Sequence, residues 1–128
     1  MKRLMTETAQ QSLTVHRDAH LFSSRPQLAE KLARIRTRVL LAPDQLLHPE
    51  VPRVYIVRLG KLRVSQFLPR GAEVTRAVLQ AGALVITGEI PAGEADPAAD
   101  VYYLSEMVLM ALGEVELWAL PADALTLD

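Results

Sequence analysis

A chain of 128 residues with no cysteine, half of its residues apolar and a formal net charge of −1 suits one domain around one core. It excludes disulfides, thiolate metal sites and iron–sulfur clusters, and it fits a reducing cytoplasm. No run approaches the roughly 18 to 20 apolar residues of a membrane span, and Lys2-Arg3 leads into polar residues rather than a signal-peptide core.

Residues 1–24 are polar and weakly patterned, and they are expected to form a loosely held N-terminal arm. "SSRPQLAEKLARI" then reads as a helix: Ser24 caps it, Pro26 takes the tolerated first turn, and Leu28, Leu32 and Ile35 form one apolar stripe. After it the period changes. "TRVLLAP" is a short strand closed by Pro43. "RVYIVRL" alternates, with Val54 and Ile56 on one face and Tyr55 and Val57 on the other. Gly60 breaks that strand, and "KLRVSQF" continues with Leu62 and Val64 inward. "LPRGAE" is a turn, "EVTRAVL" the returning strand, Gly82 another turn and "ALVIT" another strand ending near Gly88.

Pro91, Gly93 and Pro97 make the next stretch a loop. "VYYLSEMVLMAL" and "EVELWAL" read as the last strands, joined at Gly113-Glu114, and "PADAL" starts a short helical turn. Short strands with turn signals at regular intervals predict an antiparallel barrel or roll rather than alternating β–α units.

Charge is unevenly spread. All fourteen Lys and Arg lie from Lys2 to Arg76, among six acids, whereas residues 77–128 hold nine acids and no base. Two oppositely charged faces of one domain is the simpler reading, because the bases are scattered over several elements. A basic surface for an anionic partner is the sharper one.

Gly60, Gly71 and Gly82 are eleven residues apart, Gly88-Glu89 follows, and the last strand reads "EVELWALP". With "VYIVRLGKLRVSQFLPRGAEVTRAVLQAG", this pattern resembles the effector domain of the Crp/Fnr transcription regulators, over about Leu28 to Ala124. The resemblance implies a mainly β fold. It would be an antiparallel, double-stranded, jelly-roll-like β-roll over residues 25–128, with an N-terminal helix and short flanking helical turns. In members that bind cyclic nucleotides, the segment after Gly-Glu is a phosphate cassette. Its Glu takes the ribose hydroxyl, and an Arg followed by Ser or Thr takes the cyclic phosphate. Carried over, the ligand-binding positions are Gly88, Glu89 and Ser105.

The chain departs from that pattern. Six residues separate Gly82 from Gly88 against a shorter family spacing, Ala83 stands where Asp is usual, and Ser105 stands near the Arg position. A buried cyclic phosphate needs a bidentate Arg or several converging N–H groups. The segment offers Glu94, Asp96, Asp100 and Glu106 instead, so ordinary cyclic nucleotide binding is disfavoured unless a base from an earlier strand reaches in. The expectation is a regulatory ligand-sensing domain, with a small-molecule effector other than a cyclic nucleotide, or a sensor-derived domain that no longer binds one. No cofactor, metal or catalytic residue is assigned, and the chain is not expected to be an enzyme.

Such regulators add a dimerisation helix and a helix-turn-helix. Neither fits after Pro121, so this is either a fragment of a regulator or a free-standing roll, with DNA contacted only through a segment outside these residues. A homodimer or a regulatory protein partner, through an interaction or dimerisation surface, is the alternative reading. A cupin-like small-molecule-binding protein is weaker, because Arg53–Leu120 contains no His. His16 and His20 lack a third ligand, and Trp118 reads as packing or interface rather than a stacking platform.

Overall fold

The computed structural model describes residues 12–17, 26–47, 52–88, 100–103 and 106–124. In chain order the elements are β1 (Ser12–His16), α1 (Pro26–Ile35), β2 (Thr37–Leu41), β3 (Leu46–Leu47), β4 (Arg53–Leu59), β5 (Leu62–Phe67) and β6 (Glu73–Leu79). They are followed by β7 (Leu84–Gly88), β8 (Asp100–Tyr103), β9 (Met107–Ala111) and β10 (Val115–Pro121). One sheet has six strands in the order β2-β10-β4-β7-β1-β8, and the other has four in the order β3-β9-β5-β6. Every ladder is antiparallel. The mainly β, rolled architecture expected from the spacing is the one observed.

Two apolar layers result. Between the sheets, Leu13, Val15, Val57, Leu62, Val64, Val85, Leu109 and Leu117 form the interior of the roll. On the outer face of the larger sheet, Leu28 and Leu32 of α1 pack with Val54, Ile56, Leu84 and Leu120. β4 is thus buried on both sides, and the alternation of Val54 and Ile56 against Tyr55 and Val57 distributes it between the two layers. Ile35, expected on the helix stripe, is 39% exposed. It sits in the last turn, where Arg36 donates to the Ala33 carbonyl and the chain turns into β2.

Two expectations need correction. The stretch expected to be a loose arm contains β1, whose Leu13 and Val15 are fully buried. Five residues of modest hydrophobicity give little periodic signal alone, but here they pair on both sides, with β7 and β8. Ser12–His16 is thus part of the larger sheet and of the interior layer. "VYYLSEMVLMAL" is two strands in different sheets: β8 pairs with β1, and β9 with β5 and β3. The two-residue β3 is too short to register as a period.

Tyr55 is buried in the interior layer. Burial disfavours its phenolate and raises its pKa above the usual 10.0, against a smaller lowering by the Arg53 charge. The unfolded chain then ionises at lower pH than the folded one. Its contribution is intact below the unfolded pKa and is lost as pH rises through the folded pKa. Chemical denaturation across the alkaline range should show stability falling above about pH 10, with a shallower fall in Tyr55→Phe.

Candidate functional site

β7 leaves the sheet at Gly88, opposite Ser12, and β8 returns with Asp100 opposite Val15. The departure point is clamped. The Thr87 hydroxyl accepts from the Arg53 backbone N–H at 2.9 Å and lies 3.3 Å from the Arg53 carbonyl, to which it donates. Gly88 has φ +117, and a Cβ there would lie 3.0 Å from the Pro52 side chain. Gly88 is therefore fixed by backbone conformation and by a close neighbour. Glu89 and Ser105, the other two positions carried over by resemblance, lie outside the described residues, as do Glu94 and Asp96.

Beside the return point is a cleft of ≈490 Å³, lined by Arg17, Gln66, Arg76, Asp100, Tyr102 and Glu106, among others. Its position follows from topology. β8 ends the larger sheet and β6 the smaller one, and the Arg17 guanidinium crosses between them, donating to the Arg76 carbonyl at 3.1 Å. The same guanidinium lies 2.9 Å from the Asp100 carboxylate, an exposed pair with side chains 55% and 40% accessible. Arg76 donates from Nε at 2.8 Å, and also from Nη2, to the Gln66 carboxamide oxygen. The Gln66 amide in turn donates to Glu106 at 3.2 Å.

A β-bulge aims Arg76. Val64 pairs with Ala77 but Ser65 pairs with Thr75, so Arg76 is the extra residue on β6. A bulge re-aims a side chain at that point. The sequence carried a trace of it: in "EVTRAVL", Val74 and Ala77 are three apart before the alternation resumes to Leu79. Arg17 and Gln66 gave no comparable sign, since each depends on a strand partner distant in sequence.

The exception left open in the sequence occurs here: two guanidiniums from the basic part of the chain, Arg17 and Arg76, line the cleft beside Asp100 and Glu106. Charge is nevertheless matched within the domain, and each guanidinium already has an acceptor.

Other candidates resolve differently. His16 ends β1 rather than lying on a helix face, and His20 and His48 lie outside the described residues. Among the described residues no group of three His, Cys, Asp or Glu could hold a metal. Trp118 is half-buried on the outer face, with Arg36 and Arg58 4.7 and 4.4 Å from its ring centre, so its π face is used internally. Among the described residues no helix is long and apolar enough to cross a membrane.

No protein-family model matches the chain, and no curated protein is similar to it by sequence. Solved structures are informative. The N-terminal domain of a transcriptional regulator from Streptomyces coelicolor A3(2) superimposes with a TM-score of 0.59 at 24% identity, over 87% of this chain and 76% of that one. The catabolite activator protein of Thermus thermophilus gives 0.55 at 22% identity, over 79% of this chain and 45% of that one. The CO-dependent transcription factor CooA from Carboxydothermus hydrogenoformans gives 0.53 at 15% identity, over 77% of this chain and 38% of that one. This is the fold of the Crp/Fnr effector domain. The chain spans less than half the length of the last two structures. The likeness reaches the β-roll, and at these identities it shows architecture alone.

Proposed function

We propose that this chain is a regulatory sensing domain of the Crp/Fnr type, acting by binding a small effector rather than by catalysis, and that its effector is not an ordinary cyclic nucleotide. The observation that carries the second half is the state of the cleft. Arg17 is held by Asp100 and Arg76 by Gln66. A cyclic phosphate would have to take a guanidinium from its acceptor and then share the cleft with Asp100 and Glu106. Placing an anion beside two carboxylates, one newly unpaired, opposes binding.

The sensing role is supported by the roll itself and by what similar structures do, a CO-dependent transcription factor and a catabolite activator protein among them. A cleft of ≈490 Å³ is within the range of small-molecule sites. The cupin-like alternative is the weaker one, since Arg53–Leu120 contains no His to serve as a metal ligand. The described residues contain one α-helix, so they do not themselves form a helix-turn-helix, and DNA contact is assigned to residues outside them. A cytoplasmic setting agrees with the cysteine-free sequence.

Titration calorimetry with cyclic AMP and cyclic GMP tests the reading. No binding is expected at micromolar concentration. Micromolar affinity for either, lost in Arg76→Gln, would make the cleft a cyclic nucleotide site and refute the proposal.

A further inference from the structure

We propose that the open edge of β2 is a self-association surface, on which a second copy of this chain continues the larger sheet as an antiparallel neighbour. β2 ends the order β2-β10-β4-β7-β1-β8, so among the described residues its outer side faces no strand. Along a five-residue edge, the outward-pointing N–H and C=O groups that meet no described strand are a template for another strand. The adjoining rim is apolar: Leu40 and Leu59 are each 61% exposed and flank Glu116 in one row across β2, β10 and β4. A cleft of ≈650 Å³ runs beside them, lined also by Leu41 and Pro43.

Charge selects the occupant. Arg38 lies on the same face, 3.1 Å from the Glu116 carboxylate, with its side chain 59% exposed. A two-fold axis through Val39 sets the partner's Arg38 directly opposite Leu40. Since Leu40 pairs with Glu116 on its other side, the row across the seam reads Arg38 of the partner subunit, then Leu40, then Glu116. The methylene stem of the arginine covers the exposed leucine, and its guanidinium reaches toward Glu116 across Leu40. The contact forms twice by symmetry. On the inner face Val39 meets the partner's Val39, and Leu41 meets the partner's Thr37, so no charge is buried. A foreign strand of single-sign charge would set a like charge against Arg38 or Glu116. A copy of β2 does not. The inference is independent of the effector reading.

Light scattering and sedimentation of the 128-residue chain over a wide concentration range test it. The mass is expected to rise reversibly toward that of a dimer. Leu40→Lys is expected to remain monomeric, whereas Val78→Lys, at a 42% exposed position on the other sheet, dimerises like the wild type. If Leu40→Lys does not fold by circular dichroism, the charge pair decides. Arg38→Glu weakens association by on the order of tenfold, and the exchange Arg38→Glu/Glu116→Arg restores it. A monomer at every concentration overturns the proposal. So does a dimer that survives Leu40→Lys, one lost equally in Val78→Lys, or, in the charge test, association that Arg38→Glu leaves unchanged or that the exchange does not restore.

Discussion

Leu13→Ala is expected to lower the unfolding free energy by about 3 kcal/mol, measured by urea denaturation. Leu13 is fully buried and lies in the interior cluster with Val85, Leu62 and Leu117. Removing most of its side chain loses the transfer free energy of the buried carbons and leaves a cavity. The surroundings cannot readily collapse into it, because β1 is held on both sides by ladders to β7 and β8. A residue on a loose arm would cost less than about 0.5 kcal/mol. The two descriptions of this segment therefore differ by a margin that one denaturation curve resolves. A change below about 1 kcal/mol would mean that β1 does not contribute to the interior.

Gly60→Ala is expected to destabilise by a comparable amount, about 2 to 4 kcal/mol, and more than the same change at Gly71. Both glycines have positive φ, +88° and +89°. At Gly71 a Cβ would meet nothing within 4 Å, so the cost is the backbone conformation alone, about 1 to 2 kcal/mol. At Gly60 a Cβ would collide with the Glu114 carbonyl oxygen and lie 3.0 Å from the Val115 side chain. That contact joins the β4–β5 turn to the start of β10, and the clash is with backbone that cannot rotate away. Equal midpoints for the two variants would show that the close approach carries no weight.

The roll was legible where local chemistry and the tertiary answer coincide. Gly60, Gly71 and Gly82 mark turns because each adopts a conformation that other residues resist. The strands between them alternate, and the two faces of β4 were separable because Val54 and Ile56 face α1 while Tyr55 and Val57 face the interior. What was not legible depends on long-range pairing. Ser12–His16 reads as polar chain until β7 and β8 are placed beside it. The split of "VYYLSEMVLMAL" falls where one run of apolar residues serves two sheets, and alternation alone does not say which sheet a strand joins. The bases of the cleft were hidden for the same reason. Its acids, Asp100 and Glu106, are close in sequence to the loop, whereas its bases arrive from β6 and from the end of β1. An inventory of charges along one segment misses partners supplied from elsewhere.

The placement of β1 also bears on how the chain reaches its native state. β7 and β8 follow each other in sequence, yet β1 lies between them. Translation releases this segment long before the two strands that flank it. Leu13 and Val15 must wait for β7 and β8 and then enter a slot that is closed on both sides. Loop-closure entropy for such a late, long-distance insertion is paid before its contacts repay it. Refolding is therefore expected to be slow for a domain of this size, with β1 docking among the last events and with an interval in which two sheet edges stand open to misassembly.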